Sequence, residues 1–212
     1  MGFATNPTDA TCIPLITSNH SSPFYWENPS EEAAILLLIR RLFAHPNILH
    51  IGQNYLYDCQ YFYRHFGAVP ARVGDTMIGH HSIYSTLRKG LDFLSSMYCH
   101  DHVYWKDEAK DWDPKIGERQ LWTYNCKDCV TTIEAWNGIT AERDRNGLQP
   151  HFAFQQSLFF PVLRIMLRGI KVDKARRAIL RNELLEAAMA RQEKLDWVVG
   201  HHLNPKSSKQ LL

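Results

Sequence analysis

Short apolar runs and helical periods alternate over the first half of the chain, and helical spacing alone fills the second half. Residues 2–17 read as two short strands. Thr5-Asn6-Pro7-Thr8-Asp9 supplies the turn between them, and residues 10–16 carry apolar side chains toward a core. Residues 18–29 are a polar, Pro-containing connection. Ser30 is placed to cap a helix over residues 31–44, with Glu31 and Glu32 in its first turn, where the helix dipole favours acids. Pro46 stops that helix. Residues 48–52 form a buried-type strand that runs straight into Gln53-Asn54-Tyr55-Leu56-Tyr57-Asp58 and a second helix ending near Gly67. Residues 73–76 are another strand, with Asp75 at its exit. A short amphipathic helix is expected over 90–98, and a polar surface loop bearing Trp105 and Trp112 over 100–118. Helical periods follow over 121–139 and 154–167. Residues 168–173 read as a helix stop, a short strand and the new N-cap Asp173, opening a long amphipathic helix over 175–199. A last helix opens at Ser207. This order predicts an α/β layer fold, divided into a larger unit over residues 1–150 and a helical segment over 151–212.

Composition narrows the picture without deciding it. The 212 residues are 45% apolar and 12% aromatic, enough for a packed core. The apolar run at residues 33–39 is far shorter than the roughly 18 residues that mark a membrane span, and the first residues lack a basic-then-apolar leader. The expectation is a cytosolic chain with no membrane partner and with its five cysteines free. The net charge is only +2, although from Arg164 onward eleven Lys and Arg face five acids. That tilt suits a phosphate backbone and equally a solvated helix face. Cys126 and Cys129 make a C-x-x-C, with Cys99, His100 and His102 as the nearest further ligands. Zinc is the lesser reading, because no second pair stands at ligand spacing.

Two constellations carry chemistry. Asn54 and Asp58 share a helix face immediately after a strand, the junction where ligands collect in open α/β sheets. Tyr124 and Asp128 share a face of the helix over 121–139. If the two helices pack side by side, two carboxylates and a phenol converge. Carboxylates are hard oxygen ligands suited to Mg²⁺ or Mn²⁺. Two such ions about 3.5–4 Å apart clamp the attacking and leaving oxygens of a phosphodiester.

The company of these motifs identifies a family. His50-Ile51-Gly52-Gln53-Asn54-Tyr55-Leu56-Tyr57-Asp58 resembles the second exonuclease motif of family A DNA polymerases, and Tyr124-Asn125-Cys126-Lys127-Asp128 resembles the third. Asp75-Thr76-Met77 and Lys89-Gly90-Leu91-Asp92-Phe93-Leu94 resemble the segments between them, the latter most like phage-type members. Residues 168–173 and 204–211 resemble the passage into the polymerase domain. The resemblance implies a ribonuclease-H-like exonuclease domain, a mixed sheet flanked by helices, of the DEDD superfamily with a tyrosine in its third motif. It implies proofreading 3'–5' hydrolysis with Mg²⁺ or Mn²⁺, and the 3' end of single-stranded DNA as partner. Carried over, Asp58 and Asp128 are metal ligands and catalytic residues, and Tyr124 positions the attacking water. Gln53, Asn54 and Tyr57 touch the terminal nucleotides, where stacking on an aromatic gives sequence-tolerant affinity.

The family's first motif, Asp-x-Glu on the opening strand, has no counterpart here, and residues 2–10 resemble the second strand instead. The expectation is therefore a fragment without its N-terminal strand and without the polymerase palm and fingers. It would be a weak or inactive nuclease, with two protein carboxylates for two dications. The alternative is a non-catalytic nucleic-acid-binding or complementation module of a split polymerase. Other tempting residues receive ordinary readings: His80-His81 beside a surface helix, Trp105-Lys106-Asp107-Glu108 in a solvated loop, and Arg176, Arg177 and Arg181 on a helix surface.

Overall fold

The computed structural model describes residues 1–15, 17, 25–26, 28–100, 104–108, 112–113 and 117–210. They form a mixed α/β architecture of small sheets and many helices, consistent with a ribonuclease-H-like exonuclease domain. The chain divides into two compact units, Met1–Arg168 and Gly169–Leu212.

In the first unit, β1 (Gly2–Ala4) and β2 (Ala10–Cys12) form an antiparallel hairpin, with Gly2 opposite Cys12. Asn6 makes the turn: its side-chain oxygen accepts from the Thr8 and Asp9 amides, both at 2.8 Å, the local bonding that makes Asn a turn residue. Most of the expected connection over 18–29 lies outside the described residues. Helix α1 (Pro29–Ala44) is capped by Asn28, not by Ser30, whose amide donates to the Asn28 side chain at 3.0 Å. Pro29 takes the first helical turn, where its missing N–H costs nothing. The helix stops at His45 before Pro46 and buries Ile39 and Phe43.

β3 (His50–Gly52) pairs in parallel with β4 (Val73–Asp75), His50 opposite Val73 and Gly52 opposite Asp75. Helix α2 (Tyr55–Phe66) connects them as a crossover and ends on Gly67, whose φ of 62° is the left-handed conformation that favours glycine. Helix α3 (Thr76–Ile83) leaves β4 directly, and α4 (Leu91–Tyr98) follows. Among the described residues, the two pairs of strands are separate sheets.

Helix α5 (Arg119–Arg145) outruns its expected limits at both ends. The single helix expected over 154–167 is two, α6 (Gln149–Ser157) and α7 (Phe159–Arg168), broken at Leu158. Two apolar clusters hold the unit. Leu94, Ala135, Ile139 and Phe152 join α4, α5 and α6. Cys59, Phe159 and Leu163 join α2 and α7, with Tyr55, Phe62 and Ile78 packed around them. A fully buried side chain of this kind contributes about 1.5–3 kcal/mol. Gly74 lets α5 approach the parallel pair, because a Cβ there would lie 2.6 Å from the Trp136 ring.

Two expectations for this unit fail. His80 does not flank a surface helix: it is fully buried in α3, its ring bonded to the Tyr98 hydroxyl at 2.8 Å. Trp105 is not a solvated loop residue but is 4% exposed. The Trp105 indole N–H finds a partner in Asp128, whereas His80 is held through Nδ1 alone and its Nε2 is buried without a hydrogen-bond partner among the described residues.

In the second unit, Gly169 (φ 67°) ends the preceding helix. The short strand expected over 170–172 does not form. Asp173 caps α8 (Lys174–Val199), accepting from the Arg176 amide at 2.9 Å, and Gly200 closes it in the left-handed conformation. Asp196 then ties the following turn together, accepting from the Leu203 amide at 3.1 Å, from Gln192 at 2.6 Å and from His202 at 2.8 Å. No residue of α8 is buried. The expected helix from Ser207 appears as a 3-10 turn, Ser208–Gln210. Among the described residues, no helix is long and apolar enough to cross a membrane.

Candidate functional site

The end of β3 is where the chain must turn sharply to start α2. Asn54 makes that turn with φ 51° and ψ 44°, the only non-glycine residue with positive φ among the described residues. Asn tolerates this conformation better than other side chains. Its own side chain makes no cap. The capping acceptor is Asp75, one strand away and 1% exposed. One carboxylate oxygen of Asp75 accepts from the amides of Met77 (2.8 Å) and Ile78 (3.1 Å), at the start of α3. The other accepts from the Tyr55 amide (2.7 Å), at the start of α2, and the Asn54 amide contributes as well. A single buried carboxylate thus serves the orphan donors of two helix N-termini. Its backbone is clasped in turn by the Gln156 side chain, at 3.0 and 2.8 Å.

Gln53 is fastened on both sides. It donates to the Lys89 carbonyl at 2.6 Å and accepts from the Thr76 hydroxyl. The residues around it bind the turn rigidly, while Asn54 and Tyr57 face solvent. Tyr57 is 56% exposed, and its ring lies 5.1 Å from that of Tyr61, with the hydroxyls 3.2 Å apart. His65 stacks on Tyr61 one turn further along α2.

Asp58 is half-buried in the first turn of α2. Burial raises its carboxyl to about 6, and the Asp75 charge adds to the rise while the residue's own amide opposes it. Asp75 is also raised by burial, against the pull of the four amides it accepts from. Two neighbouring carboxyls are thus raised where α2 leaves the sheet, a pattern concentrated at functional sites. Burial pushes the Tyr55 hydroxyl well above its ordinary value, and the neighbouring Cys59, Asp58 and Cys129 add to the rise.

On α5, Tyr124 and Asp128 stand one turn apart and share a cation. Lys106 Nζ lies 2.6 Å from Asp128 Oδ1 and 5.1 Å from the Tyr124 ring centroid. The Trp105 indole N–H donates to that same oxygen at 2.7 Å, and its ring lies 5.0 Å from the ammonium. The ion pair is three-quarters buried at both ends. On its other flank α5 meets β1, close enough that a Cβ on Gly2 would lie 2.1 Å from the Asn125 side-chain oxygen.

The predicted residues therefore fall in two groups. Gln53, Asn54, Tyr57 and Asp58 surround the β3–α2 turn, with Asp75 as the acid that acts on Asp58. Tyr124 and Asp128 are joined through Lys106. Trp105, Lys106, Asp75 and Tyr61 complete the arrangement. Of these four, only Asp75 carries a local sequence signal, as the acid between a strand and a helix. The Mg²⁺ or Mn²⁺ pair expected from the motifs does not fit these donors. Among the described residues, no group of three or more His, Cys, Asp and Glu could hold a metal ion, and Asp128 already carries an ammonium and an indole N–H. The same observation bears on the zinc reading: the described cysteines are free thiols, and His102 lies outside the described residues.

A family model described as 3'-5' exonuclease, that of the DNA polymerase A exonuclease domain, matches residues 16–143, well over half the chain. The match spans both motifs, from the connection before α1 to the end of α5. No curated protein matches the chain.

Proposed function

Since the chain belongs to the 3'-5' exonuclease domain family of A-type DNA polymerases, whose substrate is DNA and whose members use divalent metals, we propose that it grips the 3' end of single-stranded DNA and hydrolyses it weakly or not at all. The observation that carries this reading is the contrast between its two motifs. The second motif is preorganised: Asp75 fixes the turn, and Tyr57 presents an open ring beside Asp58. The third motif has its carboxylate neutralised by Lys106.

The roles follow from those positions. Tyr57, backed by Tyr61, is the face on which the terminal base stacks, a contact worth about 1–3 kcal/mol per base and indifferent to sequence. Asn54 reaches the terminal sugar and phosphate from the exposed side of the turn. Gln53 holds the turn through Thr76 and Lys89 and acts by positioning. Asp58, with its carboxyl raised to about 6, accepts a hydrogen bond from the 3' hydroxyl when ionised and donates one when protonated. Tyr124 is held under the Lys106 ammonium. In the parent family this domain proofreads for a polymerase; a strand end held without cutting fits a module that works beside the remainder of such an enzyme.

Fluorescence anisotropy in EDTA tests the binding half of this proposal. A single strand ending in a 3' hydroxyl should bind more tightly than the same strand with a blocked 3' end, and Tyr57→Ala should remove most of the affinity. Equal affinity for both strands, or a Tyr57→Ala chain that binds as the parent does, would sink it.

A further inference from the structure

We propose that Lys106 is the resident cation of the third motif, holding Asp128 and Tyr124 in an ammonium cage that keeps divalent ions off Asp128. The inference rests on the family reading of Asp128 and concerns what occupies that carboxylate. Lys106 Nζ sits 2.6 Å from Asp128 Oδ1, the length of a strong charge-assisted bond. Two aromatic rings close the ammonium in, Trp105 at 5.0 Å and Tyr124 at 5.1 Å, both within cation–π range. Trp105 is itself 4% exposed and spends its indole N–H on that same carboxylate oxygen. The lysine is therefore not a surface side chain that happens to touch an acid. Two successive residues, one supplying a neutral donor and the other a charge, converge on one oxygen of a residue that lies more than twenty positions along the chain.

The geometry satisfies the electrostatic need that a dication meets elsewhere in the family. A carboxylate that is three-quarters buried requires a counter-charge, and a lysine supplies it within the fold. The neighbouring ion pair reinforces the arrangement: Lys127, adjacent to Asp128 on α5, bonds Glu108 at 2.6 Å and fastens the same short stretch, residues 105–108, to the helix. A doubly charged ion on the remaining oxygen of Asp128 would sit about 5 Å from the ammonium. Repulsion at that distance, even screened as in water, weakens binding by more than about tenfold. Lys106 thus sets the site's charge and its indifference to Mg²⁺ and Mn²⁺.

The test uses the intact chain without DNA, so that its failure is separable from a failure of DNA binding. The reporter is the Trp105 indole N–H resonance, assigned by its loss in Trp105→Phe. A paramagnetic ion seated on Asp128 would erase that signal. In millimolar MnCl₂ the parent chain should keep it, as should Lys106→Arg. Lys106→Met should lose it, with Mn²⁺ bound at least about tenfold more tightly, and adding Asp128→Asn to Lys106→Met should restore it. The proposal fails if the parent chain loses the signal in a manner that Asp128→Asn prevents. It also fails if a folded Lys106→Met chain keeps the signal. Acylation of Lys106 in the parent chain, read by peptide mass, gives an answer that does not depend on the Met variant folding. Its rate should be several-fold below that of the exposed Lys174 and unchanged by MgCl₂. A rate that MgCl₂ raises to the value found in Asp128→Asn would show that the ion displaces the lysine, and would overturn the proposal.

Discussion

Replacing Asp58 with Asn should stabilise the protein at alkaline pH and leave it unchanged in acid. Burial and the charge of Asp75 lift the Asp58 carboxyl from 3.8 to about 6. A folded-state value above the unfolded one means that the fold binds the proton more tightly. The stabilisation from that proton is fully present below about pH 4 and is lost as the pH rises through about 6. Above that point the wild-type chain carries an ionised, partly desolvated carboxylate at a free-energy cost. Roughly two units at about 1.4 kcal/mol each set an upper limit near 3 kcal/mol, and solvent screening of a half-buried group lowers this to about 1–2 kcal/mol. The amide introduced by Asp58→Asn carries no charge at any pH, so the difference between variant and parent should open between about pH 4 and pH 7 and then stay constant. Urea unfolding at pH 4 and pH 8 measures it. With slopes of about 1–3 kcal/mol per molar urea, the midpoint of Asp58→Asn should lie about 0.5–1 M above the parent at pH 8 and coincide with it at pH 4. A variant less stable than the parent at pH 8, or displaced equally at both pH values, would refute the claim that burial holds this carboxyl up.

Further outcomes follow from the same geometry. Asp75→Ala should destabilise the chain by about 3–5 kcal/mol, because amides at two helix starts lose one buried charged acceptor; hydrogen exchange should speed up at Tyr55, Met77 and Ile78 together, and a loss below about 1 kcal/mol would count against the shared cap. Tyr57→Ala should leave the stability within about 0.5 kcal/mol of the parent in urea unfolding, as expected for an exposed ring, so that any loss of DNA affinity reads as a lost contact. Gly74→Ala should cost about 1–3 kcal/mol through the clash with Trp136, measured by thermal or chemical unfolding; a neutral result would mean that α5 can retreat from the parallel pair.

The sequence was most legible where one local rule governed. The short apolar run ending at Gly52, followed by Asn54, announced a strand and a sharp turn into α2, because little else fits an Asn directly between a strand and a helix. Asp173 and Gly200 bracket α8 by ordinary capping chemistry. The break at Leu158 is marked by Pro161, which has no N–H to bond the Ser157 carbonyl and so falls in the first turn of a new helix; the apolar period running on across it hides that signal. The cap of α1 was misread by two positions because Asn28 and Ser30 are equally good acceptors, and only Pro29 at the first helical position decides between them. The candidate site was half legible. The motif residues stood out, but their supports did not. The bond from the Tyr55 amide to Asp75 spans twenty positions, and the Lys106–Asp128 pair spans 22. Neither leaves a periodic trace. The charged neighbours of Trp105 point to solvent, but Lys106 and Glu108 bond to α5 and the indole N–H bonds Asp128 there as well.

A strand-shortening assay measures most directly whether the chain holds a 3' end without cutting it. The purified chain is mixed with a 5'-labelled single strand in MgCl₂ or MnCl₂, at concentrations where anisotropy shows the strand to be bound. The strand should stay held and be shortened slowly or not at all. Rapid, processive loss of 3' nucleotides, abolished by Asp58→Ala and by Asp128→Ala, would contradict that reading.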